Sequence, residues 1–224
     1  KFYKKKAGIV ATEALMEKLK TGLEMENIEC VPVCGMDIFN VVTQELEEEL
    51  GNIEKYRWVV FTSRNGVLIF FETLKKMHMD IRRLAVVKFA VIGSGTKEAL
   101  AGFGINADFI PSGYTSAILA KELASAMLPG ETLLLPRAVK GSRELTVILE
   151  QENISFKEIK IYDVKGHLLP GADRLDELNS IIFLSTSGVK EFAKLLKNKG
   201  KKLPAGIEFI CIGDVTKKAA REEY

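Results

Sequence analysis

Four short stretches of this chain put hydroxyl groups and glycines where anion binding needs them. They are Thr62-Ser63-Arg64-Asn65, Gly93-Ser94-Gly95-Thr96, Ser185-Thr186-Ser187 and Gly213-Asp214-Val215-Thr216. Each follows a short apolar run and precedes a stretch of helical period. A turn so placed opens a helix, whose first N–H groups lack partners within the helix and attract anions. In an open α/β sheet this edge, at the carboxyl ends of the strands, is where ligands bind. Taken singly, Ser63, Ser187, Thr96 and Thr216 read as helix caps, worth about 1 kcal/mol each. Four together on one edge read as a surface for carboxylates or phosphates.

Other side chains near that edge widen the choice. Tyr162 ends the apolar run Ile159-Lys160-Ile161, where a phenol can face a cleft and donate a proton. Aromatics also commonly end strands and seal cores, and position alone favours that role. Arg64, Arg137, Lys140, Arg143 and Lys190 are the cations nearby. The loop Pro136-Arg137-Ala138-Val139-Lys140-Gly141-Ser142-Arg143 follows a strand and can meet carboxylates.

Several chemistries find little support. Gly93-Ser94-Gly95 lacks the third glycine of a dinucleotide loop, which is Glu98 here, and no acidic residue ends a strand about 20 residues on. No lysine followed by serine or threonine completes a phosphate loop, and no Gly-x-Ser-x-Gly elbow is present. His78 and His167 have no second ligand at metal spacing. Cys30, Cys34 and Cys211 are too few for a disulfide framework; Cys30 and Cys34, four apart on a strand, are expected on one face as buried structural thiols. Thirty-two basic against thirty acidic residues leave a net charge of +2, too small a field to imply nucleic acid or a membrane surface. No run of about 18 apolar residues exists, and the lysine-rich start lacks the apolar core of a signal peptide, so the cytosol is the expected compartment.

The elements that position these groups recur. Val59-Val60-Phe61-Thr62-Ser63-Arg64-Asn65-Gly66-Val67 returns as Ile181-Ile182-Phe183-Leu184-Ser185-Thr186-Ser187-Gly188-Val189, and Val91-Ile92-Gly93 returns as Cys211-Ile212-Gly213, at offsets of 122 and 120 residues. The segment Ile9 to Val33, with Glu26-Asn27-Ile28, likewise resembles Leu133 to Ile161, with Glu152-Asn153-Ile154. Strands are expected near 7–11, 28–33, 57–62, 88–92, 107–110, 131–135, 155–161, 180–184 and 207–212. Helices are expected at 13–26, 40–50, 64–77, 95–103, 115–128, 141–152, 187–199 and 214–222. That alternation predicts an α/β protein with two similar flavodoxin-like parallel-sheet domains. If the first piece joins the last, residues 1–34 and 167–224 form a discontinuous domain and 38–162 an inserted one, with 34–38 and 162–167 as linker strands beside a cleft. Only eight residues follow Thr216, so the discontinuous domain is expected to be the smaller or the chain to be cut short.

In order and spacing these motifs resemble uroporphyrinogen-III synthase. The resemblance is carried by Phe61 to Val67, Ile92 to Thr96, Tyr114-Thr115-Ser116, Leu135-Pro136-Arg137, Ile161-Tyr162, Ser185 to Val189 and Ile212-Gly213 with Thr216. Asn27 stands where the family usually has glycine. The resemblance implies a monomeric lyase of tetrapyrrole biosynthesis that needs no metal or organic cofactor. Its substrate is hydroxymethylbilane, a linear tetrapyrrole with eight carboxylates, which is cyclised with inversion of the last ring and loss of water. The substrate-binding residues it implies are Thr62, Ser63, Arg64, Thr96, Ser116, Arg137, Ser185, Ser187 and Thr216, with Tyr162 assisting departure of the hydroxyl. Fusion to, or hand-over from, another tetrapyrrole enzyme is a further implication. A hinged module that binds an anion without transforming it is the competing reading.

Overall fold

The computed structural model describes residues 5–224. Its elements begin β1 (Lys5–Ala11), α1 (Glu13–Met25), β2 (Ile28–Asn40), α2 (Gln44–Gly51), β3 (Trp58–Phe61), α3 (Arg64–Lys76), β4 (Lys88–Val91) and α4 (Ser94–Ala101). They continue α5 (Ser116–Ala126), β5 (Thr132–Ala138), α6 (Glu144–Gln151), β6 (Ser155–Leu168), β7 (Ser180–Phe183), α7 (Thr186–Asn198), β8 (Glu208–Cys211) and α8 (Asp214–Glu223). Two compact units result: Phe39–Asp163, and the described part of Lys1–Ile38 with Val164–Tyr224. Residues 1–4, which open the expected 1–34 segment, lie outside the described residues.

In the unit Phe39–Asp163 the strand order is β4-β3-β5-β6. The pairs are parallel, with Phe61 opposite Val91, Trp58 opposite Leu133 and Thr132 opposite Ser155. All four residues of β3 are buried, as a central parallel strand with helices on both faces requires. One face packs Trp58, Val60, Leu133 and Leu135 against Leu119 and Leu123 of α5 and Leu145 and Leu149 of α6. On the other, Phe61 meets Phe70 of α3 edge to face at 5.2 Å and stacks with Phe89 at 6.2 Å. Each such fully buried aromatic contributes about 1.5–3 kcal/mol of apolar transfer.

In the other unit the order is β8-β7-β1-β2, again parallel, with Phe183 opposite both Cys211 and Val10, and Ala7 opposite Cys30. Thus β7, β8, β1 and β2 stand to one another as β3, β4, β5 and β6 do. Phe183, Phe192 and Val189 fill the core beneath α7. The turns after α1 and α6 also match: Asn27 (φ 62°) and Asn153 (φ 55°) adopt the left-handed conformation that glycine, and next asparagine, tolerates at a helix end.

The structure departs from the sequence expectations at particular points. Residues 107–110 form no strand; one bridge joins Phe109 to Ala90. Pro111, which has no N–H, follows at once and cannot extend a ladder. β2 and β6 run past their expected ends to Asn40 and Leu168. In β6, Gly166 permits this, because a Cβ there would come 3.1 Å from Glu191 Cβ and Leu195 Cδ1 of α7 and 3.3 Å from Cys34 Sγ. α2 starts only at Gln44, where the Thr43 hydroxyl caps it by accepting from the Leu46 N–H.

Cys30 and Cys34 do not share a face. The register of β1 on β2 shifts between Ile9, opposite Pro32, and Val10, opposite Cys34. This bulge inserts one residue and reverses the alternation. Cys30 therefore packs with Met16 and Leu19 of α1, whereas Cys34 packs with Phe183 and Phe192. Both thiols are free, and burial pushes that of Cys34 up to about 12.

Candidate functional site

The residues singled out above fall at the carboxyl ends of strands in both units, and their roles there differ. In Phe39–Asp163, Ser63 follows β3 in extended conformation and caps α3, its Oγ accepting the Gly66 N–H at 3.0 Å. Gly66 makes this turn fit: a Cβ there would lie 3.3 Å from Ser63 Oγ and 3.6 Å from the Pro136 carbonyl. Thr62 is half-buried beside it, and Arg64 is exposed on the first turn of α3.

Ser63 Oγ also lies 2.8 Å from the hydroxyl of Tyr162. Tyr162 does not end its strand, because β6 continues for six more residues. A register shift against β5, between Arg137 opposite Lys160 and Ala138 opposite Tyr162, places it. Ile161 and Tyr162 are consequently both buried, the latter 7% exposed. Desolvation raises the phenol's pKa above its ordinary value, while the Ser63 hydrogen bond and the Arg137 charge pull it down less strongly. The phenol stays protonated at neutral pH and can donate a hydrogen bond or a proton.

Arg137 is not in a loop. It is buried within β5, its Nη1 3.1 Å from Glu158 Oε1 and its Nη2 donating to the Ser142 carbonyl at 2.5 Å. Lys160 shares Glu158 at 2.7 Å. A strand residue whose guanidinium is already paired supports its neighbourhood electrostatically; it is not an open anion site in this conformation.

The next helix is capped differently from the sequence expectation. Gly93, whose φ of +82° needs glycine, precedes α4 and offers no side-chain cap; Thr96 lies inside the first turn, buried. Thr115 caps α5 by accepting from the Ile118 N–H at 3.2 Å, and Ser116 is half-buried after it. Both helices leave N–H groups at an end that carries no acidic residue in its first turn.

The other unit repeats the first turn closely. Ser185 caps α7, accepting from the Gly188 N–H at 3.0 Å. The Gly188 Cβ position is 3.2 Å from Ser185 Oγ and from Val10 Cγ1. Ser187 is not the cap; its hydroxyl lies 3.2 Å from that of Ser185. Gly213 precedes α8 without a side-chain cap, and Thr216 is buried in its first turn. The residue placed after the register shift in β2, as Tyr162 is in β6, is Cys34. The two turns share the cap geometry and differ in what meets the cap serine, the Tyr162 phenol in one and the Ser187 hydroxyl in the other, and in Thr62 and Arg64 standing where the other has Leu184 and Thr186.

Two pairings were missed from sequence. The Ser63–Tyr162 bond depends on a bulge, which leaves no mark in apolar alternation. His167 Nδ1 lies 2.8 Å from Asp37 Oδ2, and its ring covers Gly35, where a Cβ would come within 2.5 Å of Nε2. The signal for that pair was available, since both residues lie in the predicted crossover segments. Among the described residues no cluster of three or more His, Cys, Asp or Glu side chains is arranged to hold a metal, and no helix is long and apolar enough to cross a membrane.

Comparison with known proteins bears on the family and the fold. The family model for Uroporphyrinogen-III synthase HemD matches residues 13–224. The porphyrin biosynthesis protein HemD of Ruminiclostridium josui is 30% identical over 220 residues, which cover 93% of this chain and 41% of that protein. Uroporphyrinogen-III synthase of Synechococcus elongatus is 27% identical over 177 residues, covering 76% of this chain and 66% of the relative. The chain therefore spans less than two thirds of the length of either. Among solved structures, a mutant uroporphyrinogen III synthase from Thermus thermophilus superposes with a TM-score of 0.67 at 18% identity, covering 98% of this chain and 89% of that one. Uroporphyrinogen-III synthetase from Helicobacter pylori gives 0.60 at 16% identity, over 98% and 89%. These two show the shared fold, and the family model, matching almost the whole chain, shows that it belongs to the uroporphyrinogen-III synthase family.

Proposed function

We propose that this chain cyclises hydroxymethylbilane to uroporphyrinogen III with inversion of the last ring. The observation that carries the reading is the Tyr162–Ser63 pair at the carboxyl edge of β3, in a chain whose family model runs from residue 13 to 224. In the reaction the substrate loses its terminal hydroxyl to give an azafulvene, which is attacked within the last ring; the spiro intermediate fragments and recloses. Tyr162, kept protonated by burial and oriented by Ser63, supplies the hydrogen bond to the departing hydroxyl. Because the free molecule cyclises without inversion, the enzyme's work is to impose geometry on a reactive cation.

Acetate and propionate groups are assigned to the helix N-termini and to the hydroxyls of Thr62, Ser63, Ser116, Ser185 and Ser187, with Arg64 as the exposed cation. The buried Thr96 and Thr216 shape the first turns of their helices, and Arg137 acts through Glu158 and the field at Tyr162. The proposal includes a cytosolic monomer working without a cofactor. It also includes supply of substrate by another tetrapyrrole enzyme, consistent with a relative of which the matched stretch is only 41%.

One observation favours the competing reading of a binding module: Tyr162 is only 7% exposed and its hydroxyl already has a partner. A coupled assay separates the two. Hydroxymethylbilane is generated in situ with the protein present, and the oxidised products are resolved into type I and type III isomers. Excess type III, reduced in kcat more than in KM by Tyr162→Phe and less affected by Thr216→Val, is the expected result. Type I alone from folded protein refutes catalysis by this chain.

A further inference from the structure

A large concavity in the unit that holds α7 and β8 is lined by residues other than those of the turns at Ser185 and Gly213. It is a pocket of about 890 Å³ running from the second turn of α7 to the start of β8, within the range of small-molecule sites. Its chemistry is lopsided. Lys190, Lys194 and Lys197 project from α7 at four- and three-residue spacing, one face of a helix that buries Val189 and Phe192 in the core and Leu196 at the edge of the pocket. Lys201 and Lys202 join them from the following loop, and Glu223 is the one acidic side chain in the lining. Lys201 is paired with Asp173 at 2.8 Å.

A solvated lysine face is the ordinary fate of such a helix. This one borders a half-buried apolar floor. Leu203, Ile207 and Phe209 pack on the core from below while remaining part of the pocket wall, and the Tyr224 ring lies 5.0 Å from that of Phe209. In a chain of almost balanced charge, the four ammonium groups of Lys190, Lys194, Lys197 and Lys202, beside the Lys201–Asp173 pair and the single Glu223, leave an excess of positive charge around one concavity and raise the local anion concentration. The floor then favours an anion with an apolar body over a fully hydrated one, because only the former removes that surface from water.

We propose that this pocket binds a small amphipathic organic anion, an apolar body bearing one or more carboxylate, sulfonate or phosphate groups, with Lys194, Lys197 and Lys202 holding the charge over Phe209 and Leu203. The site is separate from the synthase reading and does not rest on it.

The test uses anilinonaphthalene sulfonate, an amphipathic anion whose fluorescence rises in apolar surroundings, with citrate as the anion lacking an apolar body. The whole chain is expected to bind the dye saturably, and citrate more weakly. Lys194→Glu combined with Lys197→Glu is expected to weaken dye binding by at least about tenfold, because two attractive charges become repulsive. Lys217→Glu with Lys218→Glu, exposed on α8, is expected to change it less than about twofold. Circular dichroism confirms that each variant is folded. Equal binding by wild type and the α7 variant, or no saturable binding, overturns the site. Citrate binding as tightly as the dye overturns its amphipathic character. Cyclisation activity is not read in this experiment, so failure here leaves the synthase proposal standing.

Discussion

The matched serines supply an internal control for the bond to Tyr162. Ser63 and Ser185 cap helices of thirteen residues through hydrogen bonds of the same 3.0 Å length. Removing either cap should cost about 1 kcal/mol. Ser63→Ala additionally strands the buried phenol of Tyr162, and an unsatisfied buried polar group costs about 1–3 kcal/mol. The expected totals are about 2–4 kcal/mol for Ser63→Ala and about 1 kcal/mol for Ser185→Ala. Tyr162→Phe leaves Ser63 bonded to Gly66, so it should cost about 1 kcal/mol, and combined with Ser63→Ala it removes both partners of one bond. The double variant should therefore be more stable than the sum of the singles predicts, by about 1–2 kcal/mol. Urea unfolding followed by circular dichroism measures these costs. The single tryptophan, Trp58, is buried in the same unit as Ser63, so its fluorescence reports unfolding there. Equal costs for the two serines, or strict additivity of Ser63→Ala and Tyr162→Phe, would refute the reasoning.

Alkaline pH should weaken the fold through Cys34. Its thiol is raised from 9.0 to about 12 by burial, so its contribution is complete below pH 9 and lost as pH rises toward 12. The raised phenol of Tyr162 acts in the same direction above about pH 10. Cys34→Ala should flatten the fall of Tm between about pH 9 and 12, and an unchanged slope there would count against this assignment. Two glycines should respond oppositely to alanine. At Gly171 a Cβ would sit 2.2 Å from the Pro32 carbonyl oxygen, a backbone atom that cannot step aside, and Gly171→Ala should cost at least about 2 kcal/mol. Gly22 lies inside α1 with nothing within 4 Å of its Cβ position, so Gly22→Ala should stabilise by about 0.5–1 kcal/mol. Thermal denaturation measures both, and two changes of the same sign would show that local space is the wrong guide.

Legibility followed the range of the interactions. The α/β class could be read because short buried runs such as Trp58–Phe61 and Ser180–Phe183 alternate with helices of clear apolar period, and that pattern is local. Glu26-Asn27-Ile28 and Glu152-Asn153-Ile154 marked helix ends for the same reason: a left-handed residue is a property of one peptide unit and its neighbours. The serine turns were visible as turns and Ser63 was read correctly as a cap, but at the other three the cap lies two or three residues before the hydroxyl expected to provide it. Ser187, Thr96 and Thr216 sit inside first turns while Ser185 and two glycines hold the cap positions.

What the chain's own order of residues determined is therefore where strands end, where helices begin, and that hydroxyls and free N–H groups gather at those junctions. Tertiary structure alone decided which of those groups meet. Tyr162 reaches Ser63, ninety-nine residues away, because a one-residue shift between β5 and β6 turns it toward α3. The equivalent shift between β1 and β2 turns Cys34 into a core. Arg137 looked like an open cation until its partner, Glu158 on the neighbouring strand, occupied it. Register is set by the packing of whole strands and helices against one another, and no local pattern of residues records it.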